Sequence, residues 1–432
     1  MSDLTIGQQV AQYARSLDPY WTNEALAQRA EKGLNAREAL ELLCLLCGLT
    51  NPTGNEGFAQ ASDELIELGN LQASAYRLHL AYREEWLFLL GHMTDENGNE
   101  YGLQWSIFRR SLSHREKGPS LENQMFISQF VLSDKERREH KQVHDLGVSA
   151  PAATYSQQPF VLQLEHARLQ SSAASSLFPL KAEIPPNSEG IGINLRLEDD
   201  GAFIPFGRNG LLSPNFGSMY DIAMIGGDGT LTYNGQARNI KGRFWWQHAW
   251  VTIALSPRIS FLLRLPWSVI SVLLRKAKQH PQRIAWQWFF IHFSDGTAMY
   301  LYYSRQLKTC CYVAKDNPPQ CPKDAQLTTL SYTFEPSLES EIPCDLRLEC
   351  RSLQLDITLK PWLSSQLVSS PIHSYREGPA NVRGIKKGVP ISGVGFCEAV
   401  GFGNLRTAVR QSLSSLGMPA DMLEPLINRM VV

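Results

Sequence analysis

The sequence predicts a mainly β protein preceded by a helical segment, on three observations. From Tyr76 onward, short runs of alternating apolar and polar residues recur between turn residues, a rhythm typical of a β-barrel or sandwich. The turn sequences DENGN at 95–99 and Asp295-Gly296 each separate two such runs and predict hairpins. Before residue 72, Leu and Ala instead recur at spacings of three and four, which predicts helices.

Length and composition limit the function classes. A chain of 432 residues suggests two or three domains, and its 19% of charged residues is below the ~25% of an average domain, so we expect apolar surface or a cavity that needs a partner or ligand. The formal net charge of −1 gives no basic excess, which argues against nucleic-acid binding. The N-terminus lacks an apolar signal segment and no run reaches ~18 apolar residues, so we expect a soluble, cytoplasmic protein.

The helical extension is predicted over residues 1–72. It contains EALAQRAEKGLNAREALELLCLLCGL, closed by Asn51-Pro52-Thr53-Gly54, and then GFAQASDELIELG. Cys44 and Cys47 form a CxxC, but no second CxxC completes a zinc site, so we interpret them as packed thiols and expect no metal.

The first β unit is predicted over 73–255. Its opening hairpin is followed by NQMFISQFVLSD, FVLQLEHARLQ, GIGINLRLEDD and GTLTYNGQARNIKGRFWWQHAWVTIAL, which continue the alternation. The stretch IGGDGT at 225–230 is interpreted as a glycine turn.

An amphipathic insertion is predicted over 256–283. A helix beginning near Pro266 would place Trp267, Ile270 and Leu273 on one face and collect basic residues at its C-terminal end, where the helix dipole favours cations. We expect the segment 258–282 to serve as a lid, a homodimer contact or a peripheral membrane contact, with the first two favoured.

The second β unit is predicted over 284–405. It contains RIAWQWFFIHFSDGTAMYLYYSRQ, TTLSYTFEP, DLRLECRSLQLDITLKP and GVPISGVGFCEAVGFG, and a helical tail follows at 406–432.

Five of these segments, in order from Glu84 to Gly403, resemble the AttH-like and carotenoid 1,2-hydratase (hydroxyneurosporene synthase) group. They are EEWLFLLGHMTDENGNEYGLQWSIFRR, GRFWWQHAW, WQWFFIHFSDGTAMYLY, YREG at 375–378 and GVGFCEAVGFG at 393–403. The resemblance implies two lipocalin-like antiparallel β-barrel domains. It also extends to lipocalin-like Diels–Alderase cyclases, and it implies a large apolar substrate.

One departure from the pattern bears on the reaction. Where the group has the aspartate of a Trp-x-Asp motif, which the resemblance nominates as the proton donor of a hydratase, this chain has Gln247. A glutamine side chain cannot act as a general acid, so Gln247 shifts the expectation from hydration toward cyclisation or isomerisation, in which orientation of a flexible chain can supply much of the rate.

Tryptophans near the join of the two units are the candidate substrate-binding residues, because aromatic walls can hold a polyene and stabilise a developing cation. The alternative explanation for each of them is a structural role in the core of a barrel. They are Trp86, Trp245, Trp246, Trp250, Trp286 and Trp288.

The candidate acid–base residues lie beside them. His248, Asp221 or Tyr220 would be a proton shuttle if it faced a cavity, and strand alternation allows only one of Tyr220 and Asp221 to do so. We expect Trp246, His248 and Asp221 to approach one cavity at the junction. Glu377 and Glu398 match glutamates of the terminal motifs, and in so apolar a strand each needs a partner such as Arg or a backbone N–H.

These observations predict a cofactor-independent enzyme acting on a polyene, isoprenoid or polyketide-like metabolite in natural-product biosynthesis. The expected reaction is that of a cyclase, an isomerase or a hydratase-like lyase. The alternative is a non-catalytic lipocalin-type carrier of an apolar small molecule, which would tolerate loss of His248, Asp221 and Glu398. No P-loop, GxSxG, HExxH or strand-to-helix GxGxxG occurs, so no cofactor is implied.

Overall fold

A computed structural model describes most of the chain between residues 76 and 402. Within that range it omits 83, 112–120, 122–123, 149–152, 175, 199, 207–210, 214–216, 252–284, 305–306, 316, 339 and 369–374. The predicted helices of 1–72 and 406–432 and the insertion at 256–283 lie outside the described residues. No helix in the described part is long and apolar enough to cross a membrane.

The first β unit consists of thirteen strands in one antiparallel sheet. The strands are β1 Glu84–Asp95, β2 Glu100–Ser111, β3 Gln124–Asp134, β4 Glu139–Val148, β5 Ala153–Gln157, β6 Phe160–Leu164, β7 Arg168–Ser171, β8 Leu180–Ile184, β9 Gly192–Leu197, β10 Ala202–Pro205, β11 Leu211–Ser213, β12 Gly217–Tyr233 and β13 Gln236–Val251. Their order is β4-β3-β2-β1-β13-β12-β9-β8-β7-β6-β5, and β10 and β11 pair with β12.

The second β unit is built in the same way. Its strands are β14 Trp286–Phe293, β15 Thr297–Ser304, β16 Lys308–Ala314, β17 Ala325–Thr329, β18 Tyr332–Glu335, β19 Ser340–Pro343, β20 Leu346–Cys350, β21 Leu355–Pro361, β22 Leu367–Val368, β23 Tyr375–Lys386 and β24 Val389–Val400, and a short 3-10 helix spans Pro336–Leu338. Nine of them form a sheet in the order β16-β15-β14-β24-β23-β21-β20-β17 with β22 on β23, while β18 and β19 pair separately.

The prediction of a mainly β protein with two antiparallel units is confirmed. The turn Asp95–Asn99 joins β1 to β2, and the turn at Asp295-Gly296 joins β14 to β15, as the turn sequences indicate. Gly98 and Gly296 have positive φ values, which only glycine adopts without strain.

The glycine-rich stretch 225–230 is not a turn, and that prediction is wrong. It lies inside β12 and pairs with β9 on one side and β13 on the other. A Cβ on Gly227 would lie 2.8 Å from the side chains of Leu197 and Phe244, so glycine at this position leaves room for side chains of the two neighbouring strands.

The strands β12, β13 and β14 are buried on both faces over much of their length. The inner face of the first sheet packs a core that includes Leu89, Phe244 and Trp246, and the second sheet encloses its own core around Ile291 and Ile357. The remaining faces of β1, β12 and β13 pack against β14, β15 and β24 through a shared cluster that includes Phe88, Trp245 and Trp288. We call the side-chain layer between the two sheets the junction.

Candidate functional site

The junction holds a fully buried aspartate, and its burial favours the protonated form. Asp221 on β12 lies directly opposite Gln247 on β13, so both side chains point into the junction. Its Oδ1 accepts hydrogen bonds from Trp245 Nε1 at 2.9 Å and from Gln247 Nε2 at 3.1 Å. Its Oδ2 is buried and has no hydrogen-bond partner among the described residues. Burial raises the pKa of Asp221 from 3.8 to about 7, and the two donors oppose that rise.

This arrangement determines which oxygen carries the proton. Oδ1 receives two N–H groups and is therefore an acceptor, so the acid proton of neutral Asp221 resides on Oδ2. Oδ2 is the oxygen without a partner. With a pKa of about 7, Asp221 is therefore about half protonated near pH 7 and can act as a general acid.

Gln247 orients this acid. Besides donating to Asp221, it accepts a hydrogen bond on Oε1 from Trp86 Nε1 at 3.2 Å. Because Gln247 and Asp221 are cross-strand neighbours, the carboxyl group missing from position 247 is replaced by one on the adjacent strand. The junction therefore keeps an acid despite the departure from the Trp-x-Asp pattern.

Aromatic rings extend from Asp221 along the junction. Trp245 packs against Phe290 with ring centroids 5.2 Å apart, and Phe290 stacks on Trp288 at 5.9 Å. Trp288 also contacts Tyr302 at 5.0 Å, and its buried Nε1 has no partner within the described structure. Four of the six tryptophans predicted near the join therefore lie in the junction. They are Trp86, Trp245, Trp286 and Trp288.

A second acidic group lies on the other sheet. Glu377 on β23 and Glu398 on β24 are direct cross-strand partners, and Glu398 is also opposite Trp288 on β14. Burial raises the pKa of Glu398 to about 7, although the Trp286 side chain donates a hydrogen bond to it. Burial and the neighbouring Glu398 raise the pKa of Glu377 well above its usual range.

The partners expected for these glutamates are only partly present. Glu398 has the Trp286 indole, but neither side-chain oxygen of Glu377 has a partner among the described residues. The neighbouring Arg376 points the other way and donates to the Pro343 carbonyl. Two close carboxyl groups cannot both ionise cheaply, so the pair is uncharged or shares one charge at neutral pH.

Other predicted site residues lie elsewhere, and the expectation that Trp246, His248 and Asp221 share one cavity is wrong. Trp246 and Trp250 belong to the inner core of the first sheet, and His248 lies on the same side. Tyr220, consecutive with Asp221, also points inward. Alternation places positions 246, 248 and 250 on the opposite face of β13 from Trp245 and Gln247.

Inside the first sheet, these residues form a buried polar cluster around Glu85. His248 contacts Glu85 Oε1 through Nε2 at 2.7 Å and the Tyr220 hydroxyl through Nδ1 at 3.1 Å. Arg109 donates to Glu85 Oε2 through Nε at 2.7 Å, and its Nη2 donates to both the His79 and the Tyr82 carbonyls. Burial alone would raise the pKa of Glu85, but Arg109 and the histidines hold it well below its usual range. The buried ion pair of Arg109 and Glu85 therefore holds the segment before β1 against the first sheet.

The same cluster is the candidate metal centre of the described residues, but its chemistry does not fit a cation. His79, Glu85 and His248 offer ligand atoms within 4.8 Å of one another. Both Glu85 oxygens, however, already accept hydrogen bonds, one of them from the Arg109 guanidinium. A divalent cation would add to that buried positive charge, so we interpret the cluster as structural.

Sequence reasoning missed Arg109, although a signal was present. Trp105, Ile107 and Arg109 alternate on one face of β2, and the first two are core residues, so an arginine in this register must be buried and paired. Reasoning also missed Gln104, which donates to the Tyr375 hydroxyl across the junction at 2.7 Å. That contact joins the two sheets and depends on their packing.

Comparison with known proteins supports the fold. A family model described as AttH-like matches residues 73–261. A crystal structure from Nitrosomonas europaea assigned as AttH is similar with a TM-score of 0.61 and 15% identity, covering 79% of this chain and 98% of that one. Kievitone hydratase from Nectria haematococca is similar with a TM-score of 0.55 and 14% identity, covering 81% and 98%. The structure of CghA with Sch210972 gives a TM-score of 0.46 at 11% identity, covering 81% and 98%.

A search of curated proteins gives no match. The AttH-like resemblance expected from the sequence is confirmed, and the two better-matching structures share the fold of this chain.

Proposed function

We propose that this AttH-like chain is a cofactor-independent enzyme that protonates a carbon–carbon double bond of a large apolar metabolite at the junction. The observation that carries the proposal is Asp221, a buried carboxyl group with a pKa of about 7 and with one oxygen, Oδ2, that has no partner in the described structure. A buried O–H group without an acceptor is costly, and the π-face of a bound double bond would offer it a weak acceptor before proton transfer.

The reaction needs only an acid and a low-dielectric site. The Asp221 O–H bond breaks as its proton forms a C–H bond with one alkene carbon, and the other carbon becomes cationic. The faces of nearby rings such as Trp245 and Trp288 stabilise that cation. Loss of a neighbouring proton to the Asp221 carboxylate gives an isomer. Attack by a second double bond forms a ring and a new cation, and attack by water forms a protonated alcohol. Each of these two species then loses a proton to the Asp221 carboxylate, which gives the neutral product and regenerates the acid.

Asp221, Gln247 and the junction tryptophans have separate roles in this proposal. Asp221 transfers the proton, and Gln247 orients its carboxyl group through Trp86 without exchanging a proton itself. His248 and Tyr220 support the first sheet from its inner face and do not touch the substrate. Glu377 and Glu398 form a second proton-holding pair on the opposite wall.

Different observations support hydration on the one hand and cyclisation or isomerisation on the other. Kievitone hydratase shares the fold, which supports hydration as one outcome. The apolar, aromatic surroundings of Asp221 favour cyclisation or isomerisation, because they offer few polar side chains to position an attacking water.

Product analysis tests the proposal. Apolar extracts of a host lacking the gene are incubated with the full chain, with Asp221→Asn and with Asp228→Asn, an exposed aspartate of the same strand. We expect a new product from the wild-type chain and from Asp228→Asn, and a rate lower by ~10²-fold or more with Asp221→Asn.

Two results contradict the proposal. If the extract is unchanged but an apolar compound stays bound to every variant, the chain is a carrier. If Asp221→Asn forms the product as fast as the wild-type chain, a junction acid is not required and orientation alone drives the reaction.

A further inference from the structure

The end of β16 is joined to the chain that follows it by a narrow antiparallel bridge. Tyr312 and Gln320 exchange both backbone hydrogen bonds, at 2.7 Å and 2.8 Å. In such a ladder the next opposed pair is not hydrogen-bonded, and its Cα atoms approach to ~4.5 Å. That next pair is Cys311 and Cys321.

The two thiols meet across this bridge. Opposed residues of an antiparallel pair point to the same side, and the sulfur atoms of Cys311 and Cys321 are 2.7 Å apart. A Cα separation of ~4.5 Å falls within the ~4.4–6.8 Å range of natural disulfides. The backbone therefore needs no rearrangement for these residues to be joined.

We propose that Cys311 and Cys321 are a redox-active dithiol that is reversibly oxidised by a low-molecular-weight disulfide such as glutathione disulfide. The Cys321 thiolate attacks one sulfur of the oxidant, which releases one thiolate and leaves a mixed disulfide on Cys321. Cys311 then loses its proton and attacks the Cys321 sulfur, releasing the second thiol. Two protein thiols are oxidised and one disulfide is reduced to two thiols, so electrons and protons balance.

The environments of the two cysteines fix this order. Cys321 is exposed and Cys311 is buried, so an external disulfide reaches Cys321 first. Their hydrogen bond lowers the pKa of Cys321, whereas the same hydrogen bond, together with burial, raises the pKa of Cys311. The exposed thiol is therefore the attacking group and the buried thiol is the resolving group.

Oxidation would act close to the junction. Cys311 belongs to the junction cluster that contains Trp288, and Asp221 is near enough to act electrostatically on its thiol. A disulfide would tie the segment at Gln320–Cys321 to this wall. The adjacent Cys310 points the other way, into the core of the second sheet, and cannot substitute for Cys311.

Peptide mapping of the full chain tests the pairing. The protein is equilibrated with mixtures of reduced and oxidised glutathione near pH 8, quenched with acid, alkylated and digested with trypsin. Cleavage after Lys308, Lys315 and Lys323 places Cys310 and Cys311 in the peptide 309–315 and Cys321 in the peptide 316–323. We expect these peptides to be linked, with a mass lower by two hydrogens, and to separate on reduction.

Neighbouring variants make the assignment specific. Cys311→Ser and Cys321→Ser should each abolish the link, while Cys310→Ala should retain it. The proposal is overturned if both cysteines remain alkylatable in oxidised glutathione, if Cys321 stops at a stable mixed disulfide with glutathione, or if the link survives Cys311→Ser.

Discussion

Replacing the junction acid Asp221 with asparagine should make the protein more stable at alkaline pH while removing its activity. The pKa of Asp221 rises from 3.8 to about 7, a difference of about 3 units, and one unit corresponds to ~1.4 kcal/mol. Between these two pH values the unfolded chain releases a proton that the folded chain keeps, so the free energy of unfolding falls as pH rises. The full penalty is about 4 kcal/mol above pH 7.

The asparagine removes this pH dependence, but it also lowers the free energy of unfolding by an amount that does not depend on pH. Its Oδ1 still accepts hydrogen bonds from Trp245 and Gln247, whereas its Nδ2 takes the place of the unpartnered oxygen and becomes a buried donor. Such a donor costs roughly 1–3 kcal/mol. We therefore expect Asp221→Asn to be less stable than the wild-type chain near pH 4 and more stable near pH 8.

Urea unfolding followed by tryptophan fluorescence measures this difference, with Asp228→Asn as the control. The quantity of interest is the stability of the variant minus that of the wild-type chain, which should increase by up to about 4 kcal/mol between pH 4 and pH 8. Asp228→Asn should show no comparable trend, because residue 228 is exposed. A difference that is the same at both pH values would refute the claim that folding raises the pKa of Asp221.

Three further substitutions test other parts of the structure by the same unfolding measurement. For Glu377→Gln, the stability of the variant minus that of the wild-type chain should increase from pH 4 to pH 8, because the pKa of Glu377 is raised by burial and by its neighbouring carboxyl group. Arg109→Met should lower stability by roughly 3–5 kcal/mol because it leaves Glu85 charged, buried and without its cation, and a second change, Glu85→Gln, should restore part of the loss. Gly102→Ala should lower stability by roughly 1–3 kcal/mol, because its Cβ would lie 2.5 Å from Pro379 of the other sheet.

Each of these predictions has a contrary outcome. Equal effects of Glu377→Gln at both pH values would show that the glutamate ionises normally. A double variant no more stable than Arg109→Met would mean that the lost cation is not the cause. Unchanged stability of Gly102→Ala would mean that the two sheets are not packed as closely as the structure places them.

The strands were predictable because their signals are local. Alternation over Glu84–Asp95 and the turn at Asp95–Asn99 act within a few residues of one another, and both hairpins formed where these signals occur. The glycines at 225–230 are typical of a turn, but pairing with β9 and β13 places them inside a strand. Glycine is favoured at 227 because side chains of the neighbouring strands occupy the space that a side chain there would need.

The site was less predictable because it depends on register between strands. Alternation shows that Tyr220 and Asp221 face opposite ways but does not show which face meets the second sheet. Pairing of Asp221 with Gln247, and of Glu377 with Glu398, follows only from strand register. The spacing of Cys311 and Cys321 likewise carries no ligand or disulfide pattern, and only the bridge at Tyr312 brings them together.

Incorporation of solvent deuterium would show whether the junction transfers a proton to a carbon atom of the substrate. The extract and enzyme are equilibrated in deuterium oxide, the product is analysed by mass spectrometry, and carbon-bound deuterium is located by NMR. If Asp221 protonates a double bond, the wild-type product of cyclisation, isomerisation or hydration carries one deuterium on the protonated carbon, and Asp221→Asn forms little of it. A new product formed without carbon-bound deuterium would contradict the account, because bond formation would then proceed without proton transfer from the junction.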